Sequence, residues 1–290
     1  MRPFAYERPD RLDDAVAILA AGRSGGGARL LAGGTDLIIR LRDGSIRPDV
    51  VVDVKRVVDI GDGLHVHGDR LVIGGRAVMT DIAAHPVVRR AFTGLAESAA
   101  VVGSVQIRNR ATLAGNIGNA SPAADTVPSL LVHDATVVVR GPGGERRIPI
   151  DEVFVRSGVT TIGGDEVITA VELPLPRQPA GSVHQRRTRR RGHDLASVTL
   201  ACTIDPDGVT RLAYGSVGPR PLLRVDRTGV LADTSRSDDD RRIVLDALLA
   251  DAAPSATSMR ASPDYRLAML RVLGWRAIEA ALARRGESAA

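Results

Sequence analysis

Two glycine-containing stretches hold the residues best suited to binding a ligand. The first is Leu30-Leu31-Ala32-Gly33-Gly34-Thr35-Asp36-Leu37, which reads as a strand, a Gly-Gly turn and a helix start. Glycines let the backbone approach a ligand closely and turn its N–H groups into a concave anion site. The helix start adds its positive dipole end, and Thr35 a hydroxyl. A tight turn with a helix cap accounts for these residues equally well. The second stretch, Gln106 to Asp125, holds three asparagines, two hydroxyl residues, two glycines and a carboxylate, more donors and acceptors than a plain connector needs. Thr112, Gly115 and Asn116 offer hydroxyl, backbone and amide donors to phosphate oxygens, and Asp125 is an acceptor suited to ribose hydroxyls. Together the two loops suit a ligand with a diphosphate and sugars, that is, a dinucleotide. The alternative is an irregular crossover tied down by its own polar side chains.

Other signatures are absent or accidental. There is no G-x-G-x-x-G, no Walker loop and no H-E-x-x-H. Gly22-Arg23-Ser24-Gly25-Gly26 fits G-x-S-x-G formally, but a helix precedes it where a nucleophile elbow needs a strand. His65 and His67 share a strand face with no third ligand near in sequence, as on a solvated face.

These loops are embedded in a recognisable series of elements. Leu12, Ala15, Val16 and Leu19 fall on one face of a helix over 10–21, with Asp10 as its cap. Strands are predicted at 29–32 and 50–54, with a short helix over 35–42 between them. The segments 64–67 and 70–73 flank Gly68-Asp69 as a hairpin. Thr80 is placed as the cap of a helical stretch, and a longer helix runs from Pro86 to about 102. The segment 103–122 reads as irregular, 123–133 as helix, and 135–140, 146–150 and 166–173 as strands. Three prolines and a glycine in 174–181 mark a domain boundary. Beyond it, 183–190, 194–205 and 209–218 read as an antiparallel meander, and 238–251 and 264–285 as helices. Strands and helices do not alternate regularly, so the fold class is α+β rather than a doubly wound parallel sheet.

Composition narrows the function further. The chain has 290 residues, 44% of them apolar and 25% charged, as in ordinary globular proteins. No apolar run approaches the about 18 residues of a membrane helix. The N-terminal segment lacks a secretory signal, so a cytoplasmic location is expected. One cysteine, Cys202, cannot form a disulfide within the chain or hold a zinc ion or an iron–sulfur cluster through cysteines. Aromatics at 2% argue against stacking on single-stranded nucleic acid. Of 39 basic residues only Lys55 is lysine, yet the net charge is +5. That fits an acidic partner or, more simply, compositional bias of the source genome.

Leu31-Ala32-Gly33-Gly34-Thr35-Asp36, Gln106-Ile107-Arg108-Asn109 and the run Thr112 to Asp125 together closely resemble the medium, FAD-binding subunit of the molybdenum hydroxylases, the xanthine dehydrogenase and carbon monoxide dehydrogenase family. The resemblance continues through Arg189-Arg190-Arg191-Gly192-His193-Asp194-Leu195-Ala196, Gly215-Ser216-Val217-Gly218-Pro219-Arg220-Pro221 and the terminal helix from Tyr265. It implies a two-lobed FAD domain of vanillyl-alcohol-oxidase type over 1–176, then a small antiparallel sheet with a helical bundle over 182–286. It places the FAD diphosphate on Leu31, Ala32, Gly33, Gly34, Thr35 and Asp36 and on Thr112, Leu113, Ala114, Gly115 and Asn116. Ribose and ribityl contacts fall on Asn119, Ser121 and Asp125. Ala114 stands where the family usually has the first glycine of a pair. Arg186 stands where relatives carry a lysine near the flavin, and His184 where an aromatic is frequent. Ala99-Ala100-Val101-Val102 replaces an aromatic beside the flavin, so aliphatic packing of the ring is expected.

The resemblance further implies a subunit that passes electrons through FAD to NAD, oxygen or another acceptor. A large partner would carry molybdopterin and a small one two [2Fe–2S] clusters. The run Arg186-Arg187-Thr188-Arg189-Arg190-Arg191 reads as a docking edge, as a flavin contact or as a solvated strand. Alternatives to the subunit are a stand-alone FAD oxidoreductase of the same fold and a basic scaffold or nucleic-acid-binding protein.

Overall fold

Short parallel strands begin the chain, and the first two are each followed by a helix before the next strand. In the computed structural model, which describes residues 2–22, 27–178, 180–190 and 192–289, β1 (Ala5–Glu7), β3 (Val50–Asp53) and β2 (Ala28–Leu31) lie in that order, all parallel. α1 (Leu12–Ala21) packs Ala15, Val16 and Leu19 against Val52 and Val54 of this sheet, and α2 (Leu37–Arg42) follows the Gly-Gly turn. Asp10 does not cap α1: the N–H of Leu12 is taken by Asp59 Oδ2 at 2.9 Å, 47 residues away. The formal G-x-S-x-G lies outside the described residues from Arg23 onward.

The second lobe is an antiparallel sheet in the order β4 (Leu64–His67), β5 (Arg70–Gly74), β10 (Val167–Pro174), β6 (Thr136–Gly141) and β7 (Gly144–Pro149). The predicted hairpin forms β4 and β5, with Gly68 at φ 60° in its turn, and both histidines of β4 are exposed. One face of this sheet packs Leu71, Ile73, Val137, Val139 and Val171 against the helices. Those are α3 (Met79–Ala84), α4 (Pro86–Ala91), α5 (Thr93–Ala100), α6 (Val105–Arg108), α7 (Leu113–Asn119) and α8 (Thr126–Val132). A single-turn α9 (Ile150–Val153) leads into the small hairpin of β8 (Phe154–Arg156) and β9 (Val159–Thr160).

Three expectations change here. Thr80 lies inside α3, after the capping Val78, and its hydroxyl donates to Asn109 Oδ1 at 2.6 Å. The helix expected from Pro86 to 102 is two helices. Phe92 at φ −134°, ψ 50° separates them, fully buried edge-on to His133 at 5.0 Å between centroids. The irregular segment 103–122 contains α6 and α7, capped by the hydroxyls of Ser104 and Thr112.

The C-terminal part begins with the expected meander: β11 (Gly181–Arg187), β12 (Val198–Ile204) and β13 (Thr210–Gly215). A fourth strand, β14 (Leu222–Asp226), completes the sheet. Its alternation divides it between two cores. Val198, Leu200, Cys202, Leu212 and Tyr214 face α10 (Asp238–Leu249) and α11 (Pro263–Ala289). Ala201 and Ala213 face the other way and join the core formed by α3 to α8 and the five-stranded sheet. Cys202 is unpaired, and burial pushes its thiol well above the ordinary range. No helix among the described residues is long and apolar enough to cross a membrane.

His133 sits where the two parts meet, its Nε2 3.0 Å from Ser182 Oγ. Burial, with a smaller contribution from the Arg211 charge, lowers its pKa from 6.5 to about 3. The unfolded chain therefore binds more protons than the folded one between about pH 3 and 6.5, and stability falls as pH drops through that window. The residue keeps some exposed surface, so the slope should stay below the about 1.4 kcal/mol per pH unit that one group can give. Denaturant midpoints measured from pH 7 to pH 4 should show this fall, and His133→Gln should flatten it. An equally steep dependence in the variant would refute the assignment.

Candidate functional site

The Gly-Gly turn and the second loop are in backbone contact. A Cβ built on Gly33 would lie 2.0 Å from the Arg110 carbonyl oxygen, so only glycine allows this approach. Gly34 has φ +77°, a left-handed value that suits glycine and lets the chain turn into α2. A Cβ on Gly115 would lie 4.0 Å from that of Ala32, which brings the start of α7 against the same turn.

The sequence places α7 by ordinary means. Thr112 Oγ1 accepts the Gly115 N–H at 3.0 Å as a helix cap. Backbone bonds from Met79 to Ala111 and from Leu113 to Ala77 pin the entry to α3. Leu113 and Ala114 are buried in the apolar core, so the extra methyl of Ala114 is absorbed by packing and only their backbone can serve a ligand. Gly115 is exposed, and Asn116 and Asn119 are half-buried. Asn116 Oδ1 takes the Thr126 hydroxyl at 2.7 Å. The side chains of Thr35 and Asn119 make no hydrogen bonds among the described residues. Leu31 ends β2 opposite Asp53, Asp36 is exposed, and Ser121 Oγ accepts the Ala123 N–H at 3.3 Å. α2 and α7 are each under eight residues long, so anion attraction by a helix dipole is weaker here than a full helix would supply.

Asp125 is the electrostatic focus. It is 7% exposed, and its Oδ2 accepts Arg186 Nη1 at 2.8 Å. The same Nη1 also donates to the Val101 carbonyl at 3.0 Å. Oδ1 is buried and has no hydrogen-bond partner among the described residues. The nearby His184 Nε2 stands 3.6 Å off, beyond hydrogen-bond length, and is itself 3.0 Å from Thr199 Oγ1. A buried carboxylate oxygen without a donor is costly, and a ligand hydroxyl would satisfy it.

The C-terminal sheet closes the arrangement. The Ser216 N–H donates to the Pro122 carbonyl at 2.7 Å, and a Cβ on Gly215 would come within 2.7 Å of that oxygen. The family resemblance brought Arg186 and His184 near the ligand loops and set 99–102 beside them, but gave no role to Thr199, Ser216 or the Val101 carbonyl. Arg186 and His184 share a face because they are two apart on a strand. Of the arginine run, Arg187 Nε reaches the Tyr265 hydroxyl at 2.9 Å and Arg189 pairs with Asp194, holding that carboxyl well below the usual range. Arg191 lies outside the described residues.

A cavity of about 590 Å³ lies elsewhere, on the outer face of the five-stranded sheet. None of its lining residues belongs to the two loops. Its charges pair with one another, Arg147 with Glu145 at 2.7 Å and with Glu172 at 3.3 Å, as on a solvated sheet face.

Comparison with known proteins bears on the same segments. Residues 2–176 match the FAD binding domain in molybdopterin dehydrogenase, and residues 184–281 the CO dehydrogenase flavoprotein C-terminal domain. The chain is 30% identical to the carbon monoxide dehydrogenase medium chain of Hydrogenophaga pseudoflava over 97% of its own length and 98% of that protein. It is 28% identical to the xanthine dehydrogenase FAD-binding subunit of Escherichia coli O157:H7, over 97% of each. Among solved structures it superposes on the Hydrogenophaga pseudoflava carbon monoxide dehydrogenase that lacks the Mo-pyranopterin moiety, with TM-score 0.88, 28% identity and 98% and 99% coverage of the two chains. A Cu,Mo-CO dehydrogenase gives TM-score 0.89 at 27% identity, covering 98% of this chain and all of that one. The turn at Gly33, the loop from Thr112 to Asp125 and the sheet behind Arg186 thus belong to an FAD-binding subunit of the molybdenum hydroxylase family.

Proposed function

We propose that this chain holds FAD between its two loops and relays electrons within a larger enzyme. The observation that carries the assignment is the buried, donorless Oδ1 of Asp125, in a loop that Gly33 holds against the Gly-Gly turn. Within Leu31 to Asp36 and Thr112 to Asn116, the backbone N–H groups not already taken inside the protein, as those of Leu113, Gly115 and Asn116 are, would take the diphosphate. Asn119, Ser121 and Asp125 would take the ribose and ribityl hydroxyls, and Arg186 would stand beside the ring. These contacts fall within the proposed FAD domain, 1–176, except Arg186, which comes from the C-terminal domain, 182–286.

FAD accepts electrons singly or in pairs, so when bound it joins one-electron iron–sulfur centres to two-electron acceptors. The chain's own residues bind and orient it; none need act as a general base. Cys202 is buried and alone, so clusters held by cysteines belong to another chain. A large subunit would carry molybdopterin and oxidise the substrate, and a small one would carry two [2Fe–2S] clusters. The electrons would leave to NAD, oxygen or another acceptor, in a cytoplasmic assembly. A stand-alone FAD oxidoreductase would need a substrate pocket beside the loops, and the cavity on the five-stranded sheet is remote from them.

Purified protein should be yellow and release FAD in acid. A colourless protein that takes up no added FAD would sink the proposal. Co-purification with one larger and one smaller partner, together with molybdenum and iron, should distinguish the subunit from the stand-alone enzyme. Gly33→Val puts a side chain into the Arg110 carbonyl and should abolish flavin retention, as read from the absorbance ratio of flavin to protein. Asp125→Ala should weaken FAD binding about 10- to 100-fold, the range for losing a hydrogen bond to a charged group. Unchanged flavin occupancy in either variant would reject that residue's role.

A further inference from the structure

α5 and β11 meet outside the two loops along matched contacts. Gly94, Glu97 and the capping Val101 are three and four residues apart, which puts them on one side of the helix. Ser182, His184 and Arg186 alternate on β11 and share one face of the strand. The rungs pair in order. The Gly94 N–H donates to Ser182 Oγ at 3.1 Å, the His184 N–H donates to Glu97 Oε2 at 2.9 Å, and Arg186 Nη1 donates to the Val101 carbonyl at 3.0 Å. Seven residues of helix rise about 10 Å and four of strand about 13 Å, so the two sets run alongside each other.

The middle rung carries the most. β11 is an edge strand, and the His184 N–H points away from β12 into a region where the residue is only 8% exposed. Glu97 supplies the acceptor that the sheet does not. Its Oε1 takes Arg284 from α11, and Arg284 Nη1 also donates to the Ser182 carbonyl at 2.6 Å. One carboxylate thus ties α5, β11 and α11 together, two residues along the strand from Arg186.

We propose that Glu97 is a positioning residue of the FAD site: it sets β11 against α5 so that Arg186 reaches Asp125. The inference rests on the FAD reading above. It implies that Glu97 affects flavin binding only through Arg186, although it belongs to neither loop.

The test is a double-mutant cycle on the full chain, reading FAD affinity by fluorescence titration and the visible circular dichroism of bound flavin. Glu97→Ala should weaken FAD binding about tenfold and change the flavin dichroism. In an Arg186→Met background the same change should have no further effect on either. Glu97→Gln keeps an acceptor for the His184 N–H and should restore most of the affinity. If Glu97→Ala does not fold, Glu97→Gln and Arg186→Met complete the cycle at smaller amplitude. Thr203→Ala removes another bond across the same interface, to the Val132 carbonyl, four residues along β12 from the partner of Arg186. It should leave the flavin signals unchanged. An equal loss in both backgrounds, or the same changes from Thr203→Ala, would overturn the proposal. Failure of the parent protein to bind FAD would instead overturn the function proposed above, whereas a parent that binds FAD with Glu97→Ala unchanged would overturn only the role of Glu97.

Discussion

The four-stranded C-terminal sheet is covered on both faces, and this double burial governs the rest of the molecule. All seven residues of β12, Val198–Ile204, are buried. Large side chains such as Leu200 and Tyr214 fill the side under α10 and α11, while Ala201 and Ala213 present small methyls to the helices of the first domain. Each fully buried leucine contributes roughly 1.5–3 kcal/mol, so neither face can be lifted without a large loss. The small residues set how closely the helices approach. That approach brings β11 alongside α5 and Arg186 to Asp125.

The candidate site depends on that closure as much as on its own motifs. The Gly33 turn touches the Arg110 carbonyl, and the Pro122 carbonyl accepts the Ser216 N–H from the opposite side. The second loop is therefore clamped between the first lobe and the C-terminal sheet. Its polar residues divide into two groups. Thr112 and Asn116 are partly used in holding α7, while Asn119 and Asp125 Oδ1 keep capacity that the protein leaves unused. A loop that served only to connect would satisfy its own buried carboxylate.

Local patterns were legible wherever neighbours in sequence are also neighbours in space. The hairpin around Gly68 and the alternation of β11 to β13 follow from side-chain period and turn chemistry. The expectation failed where a distant residue supplied the deciding contact. Asp10 looked like the cap of α1, but Asp59 takes the Leu12 N–H. The apolar run after Pro86 reads as one helix, yet burying Phe92 against His133 accompanies a break in it. The segment 103–122 looked irregular because of its glycines and asparagines, yet side-chain caps and bonds to α3 make helices of it.

Residue types and spacing marked two candidate ligand loops suited to a dinucleotide and excluded a cysteine-held cluster, because glycine, hydroxyl, amide and carboxylate chemistry is intrinsic to the chain. Only the folded chain decided which of those groups are free to act. Arg186 and Asp125 are 61 residues apart, and His184 and Glu97 are 87 apart. Those pairings come from the packing of a sheet between two sets of helices, a long-range constraint that no local pattern encodes. The same packing buries one oxygen of Asp125 without a donor, an acceptor whose burial and lack of a partner no local pattern specifies.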